Sequence, residues 1–305
     1  MMYVLLVFGF ILLIKGADFF VDGASSIAHI LKIPSVIIGL TVVAMGTSAP
    51  EAAVSIAAGI TGNSDISLGN IIGSNIFNLL MVIGISAAIF PVVSQKGIIG
   101  RDMWWNIGAS LALFALVMNG EISRTEGALL LLGMALYLII VIRNALKTRI
   151  TDYTDPEMSV TKSIIALVLG LTAIIAGGNM VVDNAELIAK NWGMSDSLIG
   201  LTIVAVGTSL PELVTSLTAA RKGDSGIALG NAVGSCLFNI LFILGLTSVI
   251  TPVHAASELV ADTGIMTAVS VITIVFAISG KTTSRKEGLF CILLYVAYTA
   301  YIILR

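Results

Sequence analysis

A shift of 161 residues lays the second half of this 305-residue chain on the first without a gap. Gly16 falls on Gly177, Asp22 on Asp183, Gly39 on Gly200, Glu51 on Glu212, Ser74 on Ser235, Asn78 on Asn239 and Pro91 on Pro252. The register continues to Arg124 with Arg285 and Glu126 with Glu287, and in the window 39–58 twelve of twenty positions are identical to their partners. Shared apolar composition does not keep Pro, Glu, Arg and Asn in register, so the halves are two copies of one structural unit.

The unit is built for a membrane. Hydrophobic residues make up 57% and charged residues 11% of the chain, with mean hydropathy +1.04, whereas soluble domains carry roughly 25% charge. Apolar runs long enough to cross a bilayer as helices recur throughout, and the alternating segments of a transmembrane β-barrel are not seen. Five spans are expected in each half: 3–29, 35–61, 66–90, 99–119 and 123–145, then 163–190, 196–221, 226–251, 257–279 and 285–304. The first run carries Lys15, Asp18 and Asp22 without a small-residue cleavage site, so it reads as a span and not a cleaved leader. The expected fold is all-α and integral to the membrane: repeat 1–146, polar linker 147–162, repeat 163–305, with the repeated cores at 39–80 and 200–241. An odd number of spans per half makes the second copy enter from the opposite side, so the repeats are inverted.

Basic residues orient the bundle. Twelve (Lys32, Lys96, Arg101, Arg143, Lys147, Arg149, Lys162, Arg221, Lys222, Lys281, Arg285 and Lys286) fall on the side of the linker, and three (Arg124, Lys190 and Arg305) on the other. The linker is therefore expected in the cytoplasm and both termini outside, in a multi-pass plasma (inner) membrane protein.

Residues 44–55 read AMGTSAPEAAVS and 205–216 read AVGTSLPELVTS. Pro50 and Pro211 lack an N–H and clash with the preceding turn, freeing carbonyls that hydrocarbon cannot satisfy. Gly46 and Gly207 loosen the break, and Thr47, Ser48, Thr208 and Ser209 add hydroxyl oxygens. Glu51 and Glu212 follow, at a depth where a carboxylate costs at least about 2.5 kcal/mol and marks a functional site. A two-fold axis in the membrane plane would bring both segments together. The next spans, LGNIIGSNIFN (68–78) and LGNAVGSCLFN (229–239), place Ser74 with Asn78 and Ser235 with Asn239 four residues apart, on one helix face each. Such an all-oxygen, doubly negative site suits Ca²⁺, with Na⁺ able to share its ligands, and not Zn²⁺ or Cu.

Other classes are disfavoured. A net charge of −2 without a basic block gives no nucleic-acid footprint, and Cys236 and Cys291 have no paired spacing. His29 and His254 sit near span ends, and no His-containing dyad or aspartate-rich cluster supports an intramembrane enzyme. Inverted repeats suit alternating access, while channels assemble around an axis through the membrane. Lys15, Asp18 and Asp22, spaced i, i+3 and i+7, read as a self-neutralising face; Asp65 and Asp224 read as solvated caps; the Arg124–Glu126 and Arg285–Glu287 pairs read as helix-end charges.

GTSAPE and GTSLPE, each followed about twenty residues later by GSxxxN, resemble the α-repeats of the calcium/cation antiporter superfamily, most closely its prokaryotic sodium/calcium exchanger branch. The resemblance spans the chain and implies a ten-helix inverted-repeat transporter, not an enzyme, that needs no cofactor. Spans 2, 3, 7 and 8 would hold the ions and spans 1 and 6 slide across them. It implies Ca²⁺ ligation by Glu51 and Glu212 with backbone oxygens of Thr47 and Thr208. Na⁺ and the lining of the site would use Ala44, Thr47, Ser48, Glu51, Ser74 and Asn78, and Ala205, Thr208, Ser209, Glu212, Ser235 and Asn239. Electrogenic Na⁺/Ca²⁺ exchange by a monomer is implied, with H⁺/Ca²⁺ antiport as the alternative. Some family members, the potassium-dependent exchangers among them, carry Asp where this chain has Asn239, which weighs against potassium cotransport.

Overall fold

The computed structural model describes residues 1–93, 101–147, 158–193, 205–280 and 282–304. Most of the expected linker, the start of span 7, and Lys96, Arg149, Lys281 and Arg305 lie outside them. The chain is helical: α1 (Met2–Leu31), α2 in two pieces (Ser35–Thr47 and Ala49–Ile60), α3 (Ser64–Ile89), α4 (Met103–Met118) and α5 (Arg124–Lys147) form the first half. In the second half come α6 (Val160–Asn191), α7 (described as Ala205–Gly207 and Leu210–Arg221), α8 (Ser225–Ile250), α9 (Ser257–Gly280) and α10 (Arg285–Leu304).

Seven of these helices are long and apolar enough to cross a bilayer, and the bent α2 makes an eighth. The sixteen residues of α4 follow directly on helical Arg101 and Asp102, and residues 94–100 before them lie outside the described residues. The centre of the bundle belongs to α3 and α8, whose most apolar windows are each 78% buried against 33% for α1 and 11% for α10. Both central helices widen to π-helix midway, at Asn78–Val82 and Phe238–Leu244, a local geometry that gathers at functional sites.

Pseudo-two-fold symmetry is visible in the connections. Strand β1 (Val92–Val93) pairs with β4 (Thr282–Thr283), and β2 (Glu121–Ile122) with β3 (Val253–His254), antiparallel in both cases. These two ladders mark the opposite faces of the bundle. Val93 N donates to Ser225 Oγ at 3.1 Å on the β1–β4 face, and His254 N to Ser64 Oγ at 3.1 Å on the β2–β3 face. Glu126 and Glu287 close capping boxes with Ser123 and Ser284. Arg124 and Arg285 reach the carbonyls of Ile250 and Ile89. These charges therefore tie helix ends, as their sequence positions suggested.

Helices α1 and α6 cross in backbone contact. A Cβ on Gly177 would lie 2.7 Å from Gly9 O, and one on Gly170 2.8 Å from Gly16 O, closer than any side chain tolerates. The acidic face of α1 finds partners far away in sequence. Asp18 pairs with Arg221 and with Lys222, and Lys222 also pairs with Asp22, so α1 is clasped to the end of α7 and not neutralised by Lys15. Beside them Asp224 caps α8 at Ile227 N (3.0 Å) and accepts from Ser25 and Ser35 at 2.7 Å each.

Candidate ion-binding site

The two halves of α2 meet at Ser48 with a bend of 50°. Ser48 (φ −82°, ψ 11°) and its repeat partner Ser209 (φ −92°, ψ 6°) share the sparsely occupied bridge conformation, one residue before a helix that carries proline in its first turn. This turns each hydroxyl away from its own helix. Ser48 Oγ donates to Glu212 Oε1 at 2.8 Å, and Ser209 Oγ is 3.0 Å from Glu51 Oε1. Each carboxylate is thus held by the serine of the other repeat. Ser74 Oγ lies 3.1 Å from Ser209 Oγ, and Ser235 Oγ is 3.5 Å from both Glu212 Oε1 and the carbonyl of Ala44.

Glu51, Glu212, Thr47, Ser48, Ser209, Ser235, Asn78 and Asn239 are 0% exposed, and Ser74 is 2% exposed. Thr208 is half-buried. Ala44 is enclosed, and Ala205 begins the described part of α7, its side chain lying outside the description. Glu51 Oε2, Glu212 Oε2, Thr208 Oγ1, Asn239 Oδ1 and both amide atoms of Asn78 are buried without a hydrogen-bond partner. The oxygens among these atoms are costly to bury unless paired, and a cation can pair them, whereas the Asn78 amide nitrogen is a donor. Among the described residues no group of three or more His, Cys, Asp or Glu side chains could hold a metal. The site instead gathers two carboxylates and neutral oxygens.

Two asparagines not singled out from the sequence support the carboxylates. Asn70 Nδ2 donates to Ser55 Oγ (2.9 Å) and the carbonyl of Glu51 (3.4 Å); Asn231 Nδ2 donates to Ser216 Oγ (2.9 Å) and the carbonyl of Glu212 (3.2 Å). Their signal lay in the doubled Leu-Gly-Asn that opens each central segment. Asn75, which has no polar repeat partner of its own kind because Cys236 stands there, accepts from Asn239 Nδ2 at 3.0 Å. The Asn78–Asn239 level is therefore asymmetric.

Two cavities reach the site from the β2–β3 face. One of about 380 Å³ is lined by Pro50, Val54, Gly178, Asp183, Thr208 and Pro211. The other, about 410 Å³, runs past Asp65, Asn70, Ser74, Thr208, Asp262 and Tyr298. On the β1–β4 face, a cavity of about 680 Å³ beside Asp22, Ser35, Lys222 and Asp224 includes no member of the site. Among the described residues, the cavities that reach the site lie on the β2–β3 face, and the one on the β1–β4 face does not reach it.

Inverted repeats, broken helices meeting at the centre and one-sided access define a secondary transporter of the alternating-access kind. A family model described as sodium/calcium exchanger protein matches residues 1–143 and 162–304, and the chain belongs to this family of cation antiporters. It is 34% identical to the sodium/calcium exchanger MaX1 of Methanosarcina acetivorans, with 97% of each chain aligned. It is 40% identical to the putative antiporter CaxA of Alkalimonas amylolytica over 95% of each, and 36% identical to the inner membrane protein YrbG of Escherichia coli over 81% of this chain and 79% of that one. The structure of the sodium-calcium exchanger NCX_Mj soaked with Na⁺ and Ca²⁺ superposes with a TM-score of 0.86 at 31% identity, covering 98% of this chain and 97% of the other.

Proposed function

We propose that this chain exports Ca²⁺ in exchange for Na⁺, binding the two in turn at one central site. Glu51 and Glu212 serve as the Ca²⁺ carboxylates, with the backbone oxygens of Thr47 and Thr208. Na⁺ uses overlapping oxygens from Ala44, Thr47, Ser48 and Ser74 and from Ala205, Thr208, Ser209 and Ser235, with Asn78 and Asn239 completing the ring. The carrying observation is the reciprocal hold of each carboxylate by the other repeat's serine, which leaves both Oε2 atoms unbonded and buried. Two negative charges neutralise one Ca²⁺, or a set of monovalent ions, and mutual exclusion couples the fluxes. NCX_Mj, soaked with Na⁺ and Ca²⁺ or Sr²⁺, supports the choice of ions.

Residues 1–146 and 163–305 act as the two repeat units about the 147–162 linker. The charge bias favours a cytoplasmic linker and external termini, which makes the β2–β3 face external, and the likeness to the inner membrane protein YrbG supports a plasma-membrane location. The unit of transport is the monomer, and unequal charge in the two directions makes the cycle electrogenic.

Uptake of ⁴⁵Ca²⁺ into proteoliposomes loaded with Na⁺ tests the reading. Uptake should follow the outward Na⁺ gradient and respond to a clamped membrane potential. Uptake indifferent to Na⁺ but driven by a pH gradient would replace it with H⁺/Ca²⁺ antiport.

A further inference from the structure

Among the differences between the two copies of the site, one lies in the hydrogen bonding of the paired threonines. Thr47 Oγ1 lies 2.9 Å from Asn231 Oδ1, its shortest polar contact, with the carbonyls of Val43 (3.1 Å) and Ala44 (3.4 Å) slightly farther. The same asparagine donates to Ser216 and the Glu212 carbonyl, so one amide joins the first half of α2 to α7 and α8. In the repeat-related position no hydrogen bond joins Thr208 Oγ1 to Asn70, and Asn70, half-buried, lines the cavity of the open face together with Thr208. The threonine–asparagine bond is made where the molecule is shut and absent where it is open.

A second observation points the same way. Val54 lines both cavities of the open face, and its repeat partner is Thr215, which is 0% exposed with a hydroxyl that has no partner. A buried unsatisfied hydroxyl is costly. If the repeats exchange conformations, Thr215 lines the opposite cavity and water satisfies it.

We propose that Asn231 and Asn70 are positioning residues that act in alternation. The Thr47–Asn231 bond holds the β1–β4 face shut in this state, and a Thr208–Asn70 bond holds the β2–β3 face shut in the other. The inference rests on the alternating-access reading above and adds to it the pair of bonds that reports which face is open.

The test is the rate at which a charged maleimide labels a Thr215→Cys reporter in purified protein in nanodiscs, where both faces meet solvent. The chain without the reporter supplies the baseline, since Cys236 and Cys291 are buried. Labelling of the reporter alone should be slow. Thr47→Val and Asn231→Ala should each raise it about fivefold, the population shift that one neutral hydrogen bond supports. Thr47→Ser, which keeps the donor, should restore the slow rate, and Asn70→Ala should not raise it. An unchanged rate in Thr47→Val overturns the proposal, as does an equal rise in Asn70→Ala, which would indicate general loosening. Thr47→Val keeps the side-chain shape and carries the test if Asn231→Ala does not fold. Labelling requires no bound Ca²⁺, so its failure leaves the ion-site reading standing, whereas that reading falls if Glu51→Gln still binds Ca²⁺ normally.

Discussion

Replacing Glu51 or Glu212 by Gln removes one charge and keeps the shape. Both side chains are fully buried, and each offers one oxygen, Oε2, that no protein group satisfies. At an effective dielectric constant near 20, two unit charges about 4 Å apart attract by about 4 kcal/mol, so a carboxylate is worth about 8 kcal/mol to a dication and about 4 to Na⁺. Both carboxylates are buried before any ion arrives, so their desolvation cancels from the affinity, and the difference of about 4 kcal/mol makes the Ca²⁺ loss about a thousandfold larger than the Na⁺ loss. Calorimetric titration of purified protein measures the first, and Na⁺-dependent thermal shift the second. The two variants should behave alike, because the serine of the opposite repeat holds each carboxylate in the same way. Thermal stability without ions should not fall, since a buried charge has been removed. Ca²⁺ affinity within about threefold of the parent in either variant, or equal losses for the two ions, would refute the assignment.

Ser48→Ala and Ser209→Ala each remove a hydrogen bond to a carboxylate, worth about 1.5–3 kcal/mol, and should weaken Ca²⁺ binding at least tenfold by the same titration; intact affinity would detach the serines from the site. Gly177→Ala places a methyl 2.7 Å from Gly9 O; overpacking of this kind costs about 1–3 kcal/mol and should lower the melting temperature, and an unchanged melting curve would deny the tight α1–α6 crossing. The clasp between Asp22 and Lys222 is partly exposed, at 40% and 29%, so a double-mutant cycle of Asp22→Asn with Lys222→Gln should give a coupling below about 1 kcal/mol that shrinks with salt. A coupling above that range, or one insensitive to salt, would contradict the exposed geometry.

What was legible in the sequence was the symmetry and whatever symmetry dictates. The offset placed Glu51 opposite Glu212, and the strand ladders and capping boxes repeat at the same spacing. Which residue touches which across the axis was not legible. Ser48 meets Glu212 and not Glu51 because a 50° bend aims its side chain, and bend angles are not written in residue types. The i, i+3, i+7 spacing of Lys15, Asp18 and Asp22 invited a local pairing, yet the partners of both aspartates lie about two hundred residues on. Asn70 and Asn231 went unremarked because they lie early in apolar runs, where a polar residue reads as an interfacial one; only the fold shows them bonded to the backbone beside each carboxylate.

The repeat also separates two kinds of position. At the site the copies are identical: Thr47 and Thr208, Ser48 and Ser209, Glu51 and Glu212, Ser55 and Ser216, Asn70 and Asn231, Ser74 and Ser235, Asn78 and Asn239. An ion that enters from one face and leaves by the other must find the same ligands from both, so identity is what alternation requires there. At the gates the copies differ. Asp18, Arg221, Lys222 and Asp224 on the shut face correspond to Asn179, Ile60, Thr61 and Asn63 on the open one, which cannot form the same ion pairs. Extra contacts on one face only stabilise the state in which that face is closed. Matched ligands let the cycle run in both directions, and the unmatched clasp tilts its resting point toward the β2–β3 face, the face through which Na⁺ would enter if the linker is cytoplasmic.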